Sequence, residues 1–199
     1  MSATSNPTPT VSVQLRRHRF SVESYDEMIA KGILTSDDRV ELLAGEIIER
    51  SRIGPPHAAC VRRLTQLLFF AFEDRLTIAV RNPIVLPPDS EPEPDIAILR
   101  PRDDFYFHAH PRPNDVLLLI EVADSSLTLD QLVKLPLYAA AGISEVWIVD
   151  LTANRIEVHT QPVLRTYSEK RMVSGTDVLT PTALPDLSLR VSDILPFGG

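Results

Sequence analysis

Hydrophobic residues recur every three or four positions over residues 55–75, which predicts an amphipathic helix. Charged residues of the same stretch fall on the opposite side of that helix. Its inward stripe consists of His57, Val61, Leu64, Leu68 and Phe72. One side of the helix should therefore pack against a core.

Two further helices are predicted from their capping residues. Ser21 can cap a short helix near the start of the chain. Another helix should span about residues 129–141, with Thr128 as its cap and Gln131 completing a capping box. Pro136 should bend this helix or free a backbone carbonyl inside it.

Short apolar runs bounded by turn residues predict the strands, and residues 100–115 read as a loop. Strand, helix and strand at residues 116–150 form a β-α-β unit, so at least one strand pair should be parallel. The predicted fold class is therefore α/β, with a mixed β-sheet flanked by helices. The predicted strands are a pair within 39–50 around an Ala44-Gly45 turn, then 76–86, 94–99, 117–123 and 145–150, followed by short antiparallel strands.

Composition sets the expected domain organisation of the 199-residue chain. Residues 1–15, rich in Ser, Thr and Pro, predict a disordered N-terminal tail, and residues 16–199 a single domain that begins with a solvated basic arm. Cys60 is the only cysteine, so no internal disulfide is possible, which fits the cytoplasm. No apolar run approaches the roughly 20 residues of a membrane span.

The net charge of −7 argues against a protein that coats nucleic acid. It is compatible with a nuclease, because a metal site needs clustered acids while a local basic surface meets phosphate. The sequence has neither a Gly-rich phosphate loop nor a G-x-S-x-G motif, which argues against P-loop nucleotide hydrolysis and serine-hydrolase chemistry.

One ionisable residue, Glu121, interrupts the apolar strand LLLIEVA. Burying an unpaired carboxylate costs on the order of several kcal/mol. Either a buried ion pair with Lys134 or Arg39 offsets this cost, or a bound cation does. A second acid favours the cation, because Asp95 lies at the start of the strand IAIL.

Two neighbouring strands that each offer one carboxylate at a similar height make a site for a hard divalent cation. Mg²⁺ prefers oxygen ligands and takes one or two carboxylates together with waters and substrate phosphate. Asp95 and Glu121 are therefore the predicted metal ligands, and the backbone carbonyl of Val122 can add a third oxygen.

Lys134 is the candidate basic residue. Asp130, Lys134 and Tyr138 share one helical face, and their helix follows the Glu121 strand, so this face can look back at the strand end. A lysine beside a metal-bound water can orient it and stabilise negative charge on phosphorus. The alternative is a surface pair of Asp130 with Lys134, worth about 0.3–0.5 kcal/mol.

These stretches resemble the PD-(D/E)XK nuclease superfamily and, more closely, the Uma-two family of restriction-type endonucleases. The resemblance covers residues 20–195. The matching stretches are VELLAGEI, PPH, EPDIAIL, IEVADSS and DQLVKLPLYAAAGISEVWIVD.

The resemblance implies a restriction-endonuclease-like core, in which a four-stranded mixed sheet is flanked by helices. It implies that Asp95 and Glu121 bind Mg²⁺, for which Mn²⁺ can substitute, and that DNA is the substrate. The superfamily pattern has a lysine two positions after the Glu, where this chain has Ala123, so Lys134 would have to supply that group from the next helix. Pairing into a homodimer is a further expectation.

Three residues are candidates to complete the site. Glu41 lies in the family-like VELLAGE stretch and His57 begins the long helix, while Glu46 is a weaker candidate. The alternatives are that Glu41 is a solvent-facing strand residue and that His57 is an ordinary helix N-terminal histidine.

Three functions remain open from the sequence. The leading one is a Mg²⁺-dependent DNA endonuclease that hydrolyses phosphodiester bonds with a metal-activated water. The second is a nuclease-fold binding or assembly module that is catalytically weak or inactive. The third is metal-dependent hydrolysis of a smaller phosphodiester.

Overall fold

The computed structural model describes residues 16–72 and 75–195, and the predicted tail at 1–15 lies outside these residues. Within the described ranges no helix is both long and apolar enough to cross a membrane. The helices are α1 (Val22–Ala30), α2 (Pro55–Phe72), α3 (Leu127–Leu129), a π-helical turn (Asp130–Lys134), α4 (Leu135–Ala140) and α5 (Val191–Ile194), with a 3-10 turn at Pro113–Asp115. The strands are β1 (Val40–Leu43), β2 (Glu46–Glu49), β3 (Thr77–Val80), β4 (Ile96–Leu99), β5 (Val116–Ala123), β6 (Glu145–Asp150), β7 (Arg155–Val163), β8 (Thr166–Val173), β9 (Val178–Leu179) and β10 (Leu189–Arg190).

The first helix and the first strand pair form as predicted. The backbone N–H of Ser24 donates to Ser21 Oγ at 3.2 Å, which caps α1. Strands β1 and β2 are antiparallel, and the turn between them places Ala44 and Gly45 at φ 49° and 78°. Positive φ at both central residues is the geometry that tight β-hairpins favour.

The main sheet has six strands in the order β3-β4-β5-β6-β7-β8. The β5–β6 pair is parallel, as the β-α-β unit predicts, and the other pairs are antiparallel. The mixed α/β fold is thus confirmed. The sheet is larger than the four strands that the resemblance implies, because the β7–β8 hairpin continues it beyond β6.

Helices cover both faces of this sheet. On one face the inward stripe of α2 packs with apolar residues of β4 and β5, such as Leu64 and Leu68 with Ile98 and Ile120. Trp147 is fully buried in the same cluster. On the other face, the helical residues 127–140 pack over Leu119 and its neighbours. Alternate residues of each strand therefore point to different helices.

The helical segment 127–140 differs from the prediction in its start and its regularity. It begins at Leu127, so Thr128 lies inside it and is not the cap. Its middle turn is π-helical, where the N–H of Leu135 donates to the carbonyl of Asp130 five residues back. This turn ends at Lys134, two residues before Pro136, which has no N–H to continue the α-helical pattern. We call residues 127–140 the composite helix.

The strand predicted at residues 76–86 is shorter in the structure and ends at Val80. Arg81 has a φ of 55°, which breaks the extended backbone. Pro83 then removes a backbone donor, so that residues 81–95 cross the end of the sheet as irregular chain, with only isolated bridges.

Glu91 in this irregular segment makes stability depend on pH. Its side chain is 4% exposed, and Oε2 has no hydrogen-bond partner among the described residues. Burial raises the pKa of Glu91 to about 7, with Asp26 and Glu93 adding to the effect. The folded chain therefore favours the neutral form of Glu91. The stability gained from this preference is complete below the ordinary pKa of a glutamate and is lost as pH rises through about 7.

We expect Glu91→Gln to raise the free energy of unfolding at pH 8.5 by on the order of 2 kcal/mol. At pH 4 the gain should disappear, because wild-type Glu91 is then protonated. Urea unfolding at both pH values measures this, with exposed Glu49→Gln as the control. An equal effect of Glu91→Gln at both pH values would show that charge is not the cause.

Candidate active site

The start of β4 and the end of β5 meet at one edge of the sheet. The two strands are antiparallel with Ile96 opposite Ile120, so Asp95 and Glu121 lie at a similar height on neighbouring strands. A narrow pocket of about 70 Å³ opens between them. It is also lined by Glu41, Arg50, Ser51, Arg52, Ile53, Gly54, His57, Arg81, Glu93, Asp124, Ser125, Ser126, Leu129, Asp130 and Lys134.

Asp95 is fixed by contacts from three different parts of the chain. Its Oδ2 accepts a hydrogen bond from the backbone N–H of Val122 at 2.9 Å. The same oxygen lies within hydrogen-bond distance of His57 Nε2, at 2.9 Å. Oδ1 faces Arg81 Nε at 3.7 Å. The carboxylate is thus held at the strand end, with Oδ1 the less engaged oxygen.

Glu121 lies beneath the composite helix and is 3% exposed. Its Oε1 accepts a hydrogen bond from the Tyr138 hydroxyl at 2.6 Å and lies 3.3 Å from Lys134 Nζ. Burial raises the pKa of Glu121 above its ordinary value, while the ammonium of Lys134 works in the opposite direction. A further positive charge in the pocket would favour the ionised form of Glu121.

Lys134 joins two buried carboxylates from different elements. Its Nζ lies 3.2 Å from Glu41 Oε2 and 3.3 Å from Glu121 Oε1. Although burial lowers the pKa of Lys134, the neighbouring carboxylates of Glu121, Glu41 and Asp130 outweigh it and raise that pKa. The ammonium is therefore charged at neutral pH and points into the pocket.

The pocket has more acidic than basic side chains, with six carboxylates against four arginine and lysine side chains. Arg50 is engaged with Glu93, and Lys134 with Glu41 and Glu121. Burial raises the pKa of Asp130 to about 6, against the effects of Lys134 and the Ser126 hydroxyl. The excess negative charge makes the pocket attractive to a cation.

Comparison with known families identifies the chain. The model of the Uma2 family, described as "Putative restriction endonuclease", matches residues 22–192. The chain belongs to this family. The matched residues include α1, the six-stranded sheet and all residues that line the pocket. The resemblance found in the sequence is confirmed.

The fold of this Uma2-family chain also matches a solved structure. A putative nuclease belonging to DUF820 from Anabaena variabilis ATCC 29413 superposes with a TM-score of 0.67. The two chains are 14% identical, and the match covers 89% of this chain and 98% of the other. No curated protein matches the sequence. At this identity the superposition supports the fold.

All five predicted catalytic residues reach the pocket of this Uma2-family chain. They are Glu41, His57, Asp95, Glu121 and Lys134. Three alternatives raised by the sequence are wrong. Glu41 is 2% exposed and so does not face solvent, the Asp130 and Lys134 side chains are buried rather than at the surface, and Arg39 donates to the Ser51 carbonyl instead of pairing with Glu121. Glu46 lies outside the pocket lining and contacts Arg17.

The ion pair of Glu121 with Lys134, which the sequence offers as the alternative to a cation, is present in the structure. The pair accounts for only part of the buried charge, because Lys134 is shared with Glu41. Glu121 can therefore pair with Lys134 and still serve as a ligand of a cation.

The sequence did not indicate how the composite helix is fixed over the sheet. Gln131 Nε2 donates to both carboxylate oxygens of Glu157 on β7, at 3.1 and 3.0 Å. Glu157 also contacts Lys170 Nζ at 2.9 Å and His159 Nε2 at 3.2 Å. Because Gln131 and Lys134 lie on the same π-helical turn, this contact helps to position the Lys134 ammonium.

We expect Gln131→Glu to lower the free energy of unfolding at pH 7.5 by about 1–3 kcal/mol, because it puts a second carboxylate against buried Glu157. The loss should shrink near pH 4, where the new carboxyl is protonated. Urea unfolding at the two pH values measures it. Exposed Gln66→Glu on α2 makes the same chemical change without a facing carboxylate and should shift stability by less than about 0.5 kcal/mol.

The pocket residues fit a Mg²⁺ ion bound largely through water. No group of three His, Cys, Asp or Glu side chains in residues 16–72 and 75–195 is arranged to hold a metal ion by itself. Mg²⁺ needs only one or two carboxylates, however, and keeps several waters. Glu121 Oε2 accepts no hydrogen bond from the described residues, and buried His57 Nδ1 also has no partner among them.

Proposed function

We propose that the protein is a Mg²⁺-dependent DNA endonuclease. The observation that carries this proposal is the convergence of Asp95, Glu121 and Lys134 on one pocket at the edge of the sheet. Membership of a family described as "Putative restriction endonuclease" supports the reaction class. Phosphodiester hydrolysis, the Mg²⁺ requirement with Mn²⁺ as a substitute, and DNA as substrate are all parts of the proposal.

Asp95 and Glu121 are the side chains that would hold the ion, and the Val122 carbonyl is proposed as a third oxygen ligand. A divalent ion bound there lowers the pKa of a coordinated water and polarises a phosphoryl oxygen. The Val122 N–H and His57 Nε2 hold Asp95 Oδ2 in place, which leaves Oδ1 directed at the pocket. Tyr138 holds Glu121 through Oε1 in the same way.

Lys134 is proposed to replace the lysine that the superfamily pattern has at the position of Ala123. Its ammonium reaches Glu121 from the composite helix at 3.3 Å, so it occupies the space beside the proposed ligand. From there it can orient an attacking water and stabilise negative charge on phosphorus. Glu41 contributes by holding the charged ammonium at 3.2 Å from the opposite side.

A second function is favoured by a specific observation. Lys134 already neutralises part of the charge of Glu121, so the pocket is stable as a purely structural network. A nuclease-fold binding or assembly module with weak or no catalysis would need no more than this. Calorimetric titration with Mn²⁺ distinguishes the two functions. If the protein is the endonuclease, it should bind Mn²⁺, and Glu121→Gln should lower the Mn²⁺ affinity at least tenfold.

Cleavage of supercoiled plasmid tests the endonuclease directly. Wild type is expected to nick the plasmid with Mg²⁺ or Mn²⁺ and to stop when EDTA is added. Linear duplex and a bis-aryl phosphodiester, assayed in parallel, distinguish DNA from a smaller substrate. Absence of cleavage with either ion, together with absence of metal binding, would favour the binding module.

The homodimer stays a prediction of the superfamily resemblance. Two copies would allow two pockets to address the two strands of a duplex. Light scattering of the purified chain measures its mass in solution and decides between one copy and two.

A further inference from the structure

Arg81 enters the pocket from the strand next to Asp95. It follows the last residue of β3, and its φ of 55° lies in the left-handed region that non-glycine residues rarely adopt. Its backbone N–H donates to the carbonyl of Asp95 at 3.1 Å. The backbone of Arg81 is thus fixed to the same residue that is proposed as a metal ligand.

The guanidinium of Arg81 is less engaged than the charged groups of Lys134 and Arg50 in the same pocket. Its contact with Asp95 spans 3.7 Å from Nε to Oδ1, which is beyond hydrogen-bond distance. Lys134 by contrast is shared between two carboxylates, and Arg50 is paired with Glu93. The Arg81 side chain is 29% exposed and lines the pocket, so a ligand in the pocket can reach its guanidinium.

The neighbouring helix terminus provides few donors for an anion. Helix α2 begins beside the pocket, but its first two residues are Pro55 and Pro56, which have no N–H. An anionic group that enters this acidic pocket therefore needs a positive side chain. Exposed Arg52 also lines the pocket, but among the described arginine and lysine side chains it is Arg81 that faces Asp95.

We propose that Arg81 binds the phosphate of the substrate, by donating from its guanidinium to the non-bridging oxygens of a phosphodiester beside Asp95. This inference rests on the proposed function and extends it, because it assigns recognition of the nucleic-acid backbone to a residue outside the Asp-Glu-Lys set. Planar guanidinium groups match phosphate oxygens with two parallel hydrogen bonds. A contact of Arg81 with phosphate does not distinguish one base from another, so it should strengthen binding to DNA of any sequence equally.

The test compares Arg81→Met with Arg165→Met. Both changes remove one positive charge, but Arg165 lies exposed in the β7–β8 turn and outside the pocket lining. With Mn²⁺ and plasmid, Arg81→Met should lower kcat/KM by on the order of 100-fold, Arg81→Lys by less, and Arg165→Met by less than about twofold. Mn²⁺ affinity measured by calorimetry should be unchanged or tighter in Arg81→Met, because a cation beside Asp95 has been removed.

Salt dependence gives a readout that a structural role would not change. The binding constant K of a fluorescent duplex is measured in Ca²⁺ and plotted as log K against log salt concentration. The slope of this plot should be less steep by about 0.9 in Arg81→Met, which corresponds to the loss of one phosphate contact. An unchanged slope and kcat/KM in Arg81→Met, with an active wild type, would overturn the inference and leave the proposed function standing. A wild type that neither cleaves nor binds DNA would overturn both.

Discussion

Asp95→Asn is expected to lower the rate of plasmid nicking on the order of 1000-fold, which corresponds to about 4 kcal/mol of transition-state stabilisation. The asparagine carbonyl still accepts from the Val122 N–H, which donates to Asp95 Oδ2 at 2.9 Å in wild type. Shape and backbone hydrogen bonding are therefore kept while the negative charge is lost. A hard divalent cation loses a charged oxygen ligand by this change.

Initial rates of supercoiled plasmid nicking in Mn²⁺ measure the effect. The matched control is Asp103→Asn, which makes the same substitution in the exposed loop after β4. We expect the control to keep wild-type activity and both variants to unfold at wild-type urea concentrations. Equal nicking by Asp95→Asn and wild type would remove Asp95 from the site.

Lys134→Met should strongly lower the free energy of unfolding. The side chain is 6% exposed, and its removal leaves Glu41 and Glu121 buried without their common cation. Breaking a buried pair in this way costs about 3–5 kcal/mol. Because the pKa of Lys134 is raised in the folded chain, its contribution is complete at neutral pH and is lost only in alkaline solution above its ordinary pKa.

The control for charge is Lys31→Met, which breaks an exposed pair with Glu27 on α1 and should cost no more than about 1 kcal/mol. A double variant, Lys134→Met with Glu121→Gln, separates stability from catalysis. It should recover part of the lost stability, because one unpaired carboxylate is gone, while cleavage stays at least 100-fold below wild type. If the single variant were as stable as wild type, the buried charge network described above would be wrong.

The strand ends could be predicted from the sequence because burial is visible locally. Glu121 is conspicuous as one acid in an apolar run, and Asp95 as an acid at the start of another. The β-α-β order then places Lys134 near the end of the Glu121 strand, and the structure has all three in one pocket. These predictions needed only strand and helix periodicity.

The contacts that hold the site together could not be predicted from the sequence and are visible only in the folded chain. The Arg81 N–H meets the Asp95 carbonyl across an irregular segment, and Gln131 meets Glu157 across the sheet. Neither pair has a sequence spacing that marks it, because each joins separate elements. The sequence instead assigns Gln131 to a capping box with Thr128. This prediction is wrong because the helix starts before Thr128.

Backbone irregularity explains the remaining differences. The predicted strand 76–86 assumed continuous extended chain, but Arg81 adopts a positive φ and ends it. Pro136 indicates a disturbance in the composite helix, and the structure shows it as a π-helical turn that ends two residues before the proline. Periodicity alone does not reveal this turn, since its five residues are too few to show a repeat of their own.

Anomalous diffraction from crystals soaked in Mn²⁺ tests the proposed cation site most directly. We expect the strongest peak in the pocket between the carboxylates of Asp95 and Glu121, and its absence in crystals of Glu121→Gln. A protein that nicks plasmid in Mn²⁺ but has its strongest Mn²⁺ peak away from both carboxylates would contradict the assignment.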